Sequence, residues 1–132
     1  MAAITAFPDV PNTIHGAFGT EMSYTASADI LGGQLVQIAS NGTVAPATAS
    51  TQKIIGIALY DIPAGTIGAV RVAGVACVAN ADGATAITAG VAVTAGALGG
   101  ATAHSTGRAI GIALEPIAGG ATGLVAIAPF DA

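Results

Sequence analysis

The sequence predicts an all-β fold: a small barrel or sandwich built from two tandem β repeats, preceded by an extended N-terminal arm. Three observations carry that expectation. A nineteen-residue segment recurs further along the chain at a fixed spacing. Gly, Pro and Asn punctuate the chain every few residues, so no 3.6-residue apolar stripe survives for three helical turns. Between those breaks lie short β-branched and apolar runs, the composition of strands.

The repeat is the most informative of the three. Ile55–Ala73 aligns with Ile110–Ala128 at an offset of 55, and ten of the nineteen positions are identical. They include the run Gly-Ile-Ala-Leu and the later Gly, Gly and Val in register. Upstream, Ile30–Val36 aligns with Ile87–Val93 at an offset of 57, so a short net deletion separates the two matches. Each copy spans about 45 residues, near 28–74 and 85–129. The expected organisation is therefore an arm over 1–25 and a single β domain over 26–132, each half completing the other's core.

The elements follow in order. Gln34–Ile38 alternates, then Asn41-Gly42 supplies the strongest short-range hairpin signal and Thr43–Ala45 begins the return. In the second copy Val91–Thr94 leads to Gly99-Gly100, a similar turn in the equivalent place. Ile54–Leu59 and Ala109–Leu114 are short, β-branched and apolar, as a strand buried on both sides would be. Asp61–Gly65 reads as a turn, Gly68–Val75 as a further alternating strand and Asn80–Gly83 as the connection between copies. The arm differs from the rest. It concentrates Phe7, Pro8, Val10, Pro11, Ile14 and Phe18, and its prolines enforce extended backbone. It is either a tail draped on the domain or frayed, or a segment that packs on a neighbouring chain through aromatic anchors.

Composition removes several classes of function. Ala (32) and Gly (19) fill 51 of 132 positions, and charged residues make up 8% against about 25% in an ordinary domain. With 53% apolar residues the chain is not of disordered composition. A single cysteine, Cys77, rules out a disulfide scaffold and reads as a small buried apolar residue in a protein made in a reducing compartment. Lys53, Arg71 and Arg108 are the only cations, too few for a nucleic-acid face. The longest uncharged stretch, Gly83–Gly107, is broken by Gly, Thr, Ser and His104, so no membrane span is expected. The N-terminal MAAITAFPDVPN lacks the basic and apolar regions of a signal peptide.

Chemistry is equally sparse. His15 and His104 stand without a metal-ligand pattern around them, and solvated or structural roles are expected for both. Asp61 and Glu115 occupy nearly equivalent turns, one position out of register, and read as solvated loop charges. The Gly-rich stretches lack a phosphate-loop pattern, and no nucleophile elbow is present. The expectation is a protein that is not an enzyme and carries no cofactor and no metal. Function should then reside in surface. A neutral, small-residue surface permits close approach at little side-chain entropy cost, and charge is depleted in interface cores.

The order of motifs resembles that of the small β-rich capsid cement, or head decoration, proteins of tailed phages and related viruses. The residues that carry the resemblance are Tyr24–Val36, Ile55–Leu59, Asp61–Val75, Ala86–Val93 and Ala109–Glu115, and it covers roughly residues 20–129. Thr94 departs from the pattern, standing where the family often has an aromatic. The resemblance implies a structural virion protein made in the host cytoplasm that sits on the outer capsid surface as a homotrimer. It implies the major capsid protein as partner, bridging of neighbouring shell subunits, and no catalytic residues. Within that reading the arm residues Phe7, Val10, Ile14 and Phe18 form the expected capsid or subunit interface. The alternative is a receptor- or glycan-binding fibre or spike module, for which Tyr60-Asp61 is the best loop candidate.

Overall fold

Nine strands follow one another among the described residues, 19–80 and 85–131, of the computed structural model. They are β1 (Gly19–Thr25), β2 (Leu35–Ile38), β3 (Val44–Pro46), β4 (Ile54–Ala58), β5 (Ile67–Ala79), β6 (Ala92–Ala95), β7 (Ala101–Ala103), β8 (Arg108–Ala113) and β9 (Thr122–Asp131). All belong to one sheet, which curls into a half-barrel. The all-β expectation therefore holds. No helix among the described residues is long and apolar enough to cross a membrane.

The sheet order, β3-β2-β4-β5-β9-β8-β6-β7, reads the same from either end once the copies are exchanged. Register repeats with it. Ala58↔Val70 corresponds to Ala113↔Val125, Val36↔Pro46 to Val93↔Ala103, and the bridge Ile30↔Ile62 to Ile87↔Ile117. The copies meet where β5 pairs antiparallel with β9, from Gly74↔Ile127 to Ala79↔Thr122. The far ends of the sheet also touch, because the Gly99 and Ser50 amides donate to Ala47 and Ala95 oxygens at 2.8 and 3.0 Å. Pro46, which has no amide to donate, lies on the edge strand β3, where the ladder does not require one.

Close approach of backbones explains the invariant glycine of the Gly-Ile-Ala-Leu run. A Cβ at Gly56 would overlap the Arg71 carbonyl oxygen, and one at Gly111 would overlap that of Ala126. The main core draws on both copies, with Leu35, Ile54, Ile57, Ile87, Ile110, Ile117 and Val125 all essentially buried. A second cluster, including Ile30, Val36, Ile62 and Val70, lies in the first copy and takes in Ala26 just before it.

Three local expectations need correction. The second hairpin turns on Leu98-Gly99, one residue before Gly99-Gly100. Its central residues have φ of +54° and +74°, as Asn41 and Gly42 have +59° and +73° in the first copy, while Gly100 is extended. A type I′ hairpin turn needs two successive positive φ values, and Gly99 accepts the second while Leu98 is forced into the first at about 1–2 kcal/mol. Cys77 is exposed, not buried. Strand alternation sends its neighbours Ala76 and Val78 into the core and Cys77 outward. The double-sided burial expected of both central strands holds for Ile57 and fails for its counterpart Ile112, which is 43% exposed. In the first copy the row Leu35–Ile57–Arg71 is fully buried, whereas in the equivalent row Ile112 is exposed and Ala92 and Ala126 are half-buried.

Candidate functional surface

Residues 19–25, the last part of the segment read as an arm, form β1 and pair with β5 from Thr25↔Ile67 to Gly19↔Gly74. One ion pair reinforces that ladder. Arg71 is 3% exposed and lies opposite Glu21; its Nη2 donates to Glu21 Oε2 at 2.8 Å and its Nη1 to the Val75 carbonyl at 2.9 Å. The guanidinium thus serves the fold. The arm residues Phe7, Val10, Ile14 and Phe18, and also His15, lie outside the described residues.

The polar side chains singled out by the sequence act as local staples. Asp61 accepts the Gly32 amide at 2.8 Å, and Asp29 accepts that of Ala64 at 2.8 Å. Glu115 accepts the Leu124 amide at 2.9 Å, and its true counterpart is Tyr60, whose hydroxyl accepts the equivalent Ala69 amide at 3.0 Å. The reading of Asp61 and Glu115 as free loop charges is therefore incomplete: both are exposed, yet each satisfies a backbone donor that would otherwise rely on water. His104 Nε2 lies 2.8 Å from the Gly107 oxygen and closes its own turn. Thr94, at the position of the missing aromatic, is buried and donates to the Arg108 carbonyl at 2.7 Å. Among the described residues, no group of three or more His, Cys, Asp or Glu is placed to hold a metal.

Two concavities stand out among the described residues. The larger, about 390 Å³, is a half-open groove lined by Gly32, Gly33, Leu59, Arg71, Cys77 and Thr122, among others. The smaller, about 220 Å³, lies at Asp29, Leu31, Asp61 and Pro63. Both carboxylates there already spend an oxygen on backbone amides.

What the surface offers instead is apolar side chains. Met22, Leu31, Tyr60, Ile67, Leu98, Ile112 and Leu114 are all exposed. Sequence reasoning marked only Tyr60 of these. Leu98 had a readable signal, because the repeat alignment sets it against Asn41 in a turn that favours Asn. Two of these residues are joined through one side chain. Gln34 accepts the Leu31 amide on Oε1 and donates from Nε2 to the Leu98 carbonyl, both at 2.8 Å. The turn carrying Leu98 is thereby fastened to the first copy. By contrast, space beside Gly42 in the matching turn is open, with nothing within 4 Å of where a Cβ would stand.

No curated protein matches the chain. Among solved structures it is similar in fold to the head fiber gp8.5 N base of bacteriophage phi29, with a TM-score of 0.64 and 19% identity. That match covers 83% of this chain and 93% of the other. The family model described as phage cement protein matches residues 15–128. The chain belongs to the phage cement protein family, a family of structural virion proteins.

Proposed function

We propose that the protein binds the outside of a mature phage capsid as a homotrimer and stabilises the shell by bridging neighbouring subunits of the major capsid protein. The single observation that carries this reading is the cement-family match over residues 15–128. The surface supports it: apolar side chains are exposed around a sheet poor in charge, as suits extensive protein contact. The physical action would be linkage. A protein that binds the assembled shell and not its separated subunits stabilises assembly by about 2.7 kcal/mol per site at a hundredfold excess over Kd. Summed over a lattice, that opposes the outward pressure of packaged DNA.

Within this reading the arm, through Phe7, Val10, Ile14 and Phe18, engages the capsid or a neighbouring protomer. Its clustered aromatics and prolines in a non-repeating segment motivate the assignment. The test is sedimentation of the purified protein with empty shells that lack it, alongside light scattering for solution mass. Co-sedimentation at saturable stoichiometry and a trimer mass are expected. A monodisperse monomer that ignores shells would overturn the reading. A chain lacking residues 1–18 should lose occupancy; unchanged occupancy would remove the arm from the interface.

The fold similarity to a head fiber base favours one second reading, a fibre module that displays loops such as Tyr60-Asp61 to a host receptor or glycan. Binding to host cells without binding to shells would select it.

A further inference from the structure

We propose that Leu98, with Leu31 linked to it through Gln34, is an apolar knob on a braced turn by which the protein seats into an apolar recess on the capsid shell. This rests on the capsid-binding reading and adds a contact separate from the arm. Leu98 is 82% exposed, and Leu31 is 59% exposed. Leu98 also holds a φ of +54°, a conformation that β-carbon sterics disfavour and that Asn, its counterpart in the other copy, tolerates far better. Neither burial nor backbone preference therefore explains a leucine at this turn.

The turn is held rigid from beneath. The Gly99 amide donates to Ala47 at 2.8 Å, and the space beside Gly99 is closed by the Leu35 oxygen and the Gln34 and Pro46 side chains. Gln34 ties the Leu98 carbonyl to the Leu31 amide, so both leucines stand on one bracket. A turn whose backbone is fixed before contact need not be ordered on binding, which favours a small apolar contact carried on it.

Size selects the occupant. Two leucine tips fall far short of the roughly 800 Å² per partner that a stable pair of free proteins buries. They suit a partner presented in many copies, where weak contacts are multiplied by tethering to one lattice. A shell of identical subunits is such a partner; a free second copy of this chain is not.

Leu98→Asn tests the idea without threatening the fold, because it installs the residue that the first copy already uses at this turn. Full-length wild type, Leu98→Asn and Leu31→Thr/Leu98→Asn are titrated against empty shells lacking the protein, with Tm and solution mass measured in parallel. Leu98→Asn should lose at least tenfold in apparent shell affinity, and the double variant more, with Tm not lowered and mass unchanged. Affinity of both variants within twofold of wild type overturns the knob while leaving capsid binding intact. A changed solution mass with unchanged shell affinity assigns Leu98 to self-association and equally overturns it. Wild type that fails to bind shells removes the capsid-binding reading and the knob together.

Discussion

Ile57 and Ile112 occupy the same position of the two repeat copies and pair with equivalent neighbours, yet Ile57 is fully buried and Ile112 is 43% exposed. The contrast extends along the row. Arg71 beside Ile57 is buried against Glu21 of β1, whereas its counterpart Ala126 pairs with the apolar Val75 of β5. Hydrogen-bond register is thus common to both copies, while burial belongs to one. A backbone pattern can be inherited by each copy, but a core has an inside and an outside, and only one copy has its central row fully buried. The exposure of Ile112 between half-buried Ala92 and Ala126 is the consequence.

The largest expected effect breaks the comparison at that pair. Ile57→Ala should destabilise the protein by about 2–5 kcal/mol, the range for a buried aliphatic truncated to Ala. Ile112→Ala should cost about 1 kcal/mol or less, mainly through strand propensity. Equilibrium urea unfolding of both variants measures the difference. Equal losses would mean that the row on the second copy is covered in solution.

Next comes the ion pair found in one copy only. Removing one partner of a fully buried pair costs about 3–5 kcal/mol. The Glu21 side chain is 38% exposed, so water screens part of that interaction. Glu21→Ala is expected to lose about 1–3 kcal/mol by leaving the buried guanidinium without its carboxylate. Adding Arg71→Ala, which recreates the Ala found at position 126, should recover part of the loss. A double-mutant cycle with zero coupling would show that β1 is held by its ladder alone.

How far these features were legible in the sequence follows from the same contrast. The repeat, the first turn and the strands within the two copies were readable because glycine positions and β-branched runs are local signals, whereas β1, inside the segment read as an arm, and the exact second turn were not. Gly56 and Gly111 mark backbone contact in each copy, and Asn41-Gly42 marks its turn unaided. The exposure of Cys77 and Ile112 was not readable, since it depends on which face the other copy covers. The tyrosine-for-glutamate exchange was hidden by chemistry: Tyr60 and Glu115 share a position and a task but no side-chain class. The apolar surface was legible only in outline. Low charge pointed to contacts, while the pairing of Leu31 with Leu98 through Gln34 depends on tertiary packing of the two copies.

That exchange supplies the third prediction. Tyr60→Phe and Glu115→Ala each remove the acceptor for one strand amide, Ala69 or Leu124. Each should lose about 0.5–1.5 kcal/mol, the usual net value of such a bond. Amide hydrogen exchange should accelerate at Ala69 in the first variant and at Leu124 in the second, each without the other. Acceleration at neither amide would mean that water replaces both acceptors without penalty.

The smallest effect concerns the two hairpin turns, which have nearly the same backbone and opposite side chains. Asn at a left-handed position can bond locally and is tolerated there; Leu cannot and is not. Leu98→Asn should therefore raise stability by up to about 1 kcal/mol, and Asn41→Leu should lower it by a similar amount. The swap of both residues should leave stability near wild type, because Asn41 lies at the closed end of the β2–β3 hairpin and the Leu98 turn packs by Leu35, Pro46 and Ala47 at its open end. If Leu98→Asn instead destabilises the isolated protein in urea unfolding, the leucine is serving its own fold. If stability rises while shell affinity falls, the left-handed leucine has been kept for contact at the expense of the turn that carries it.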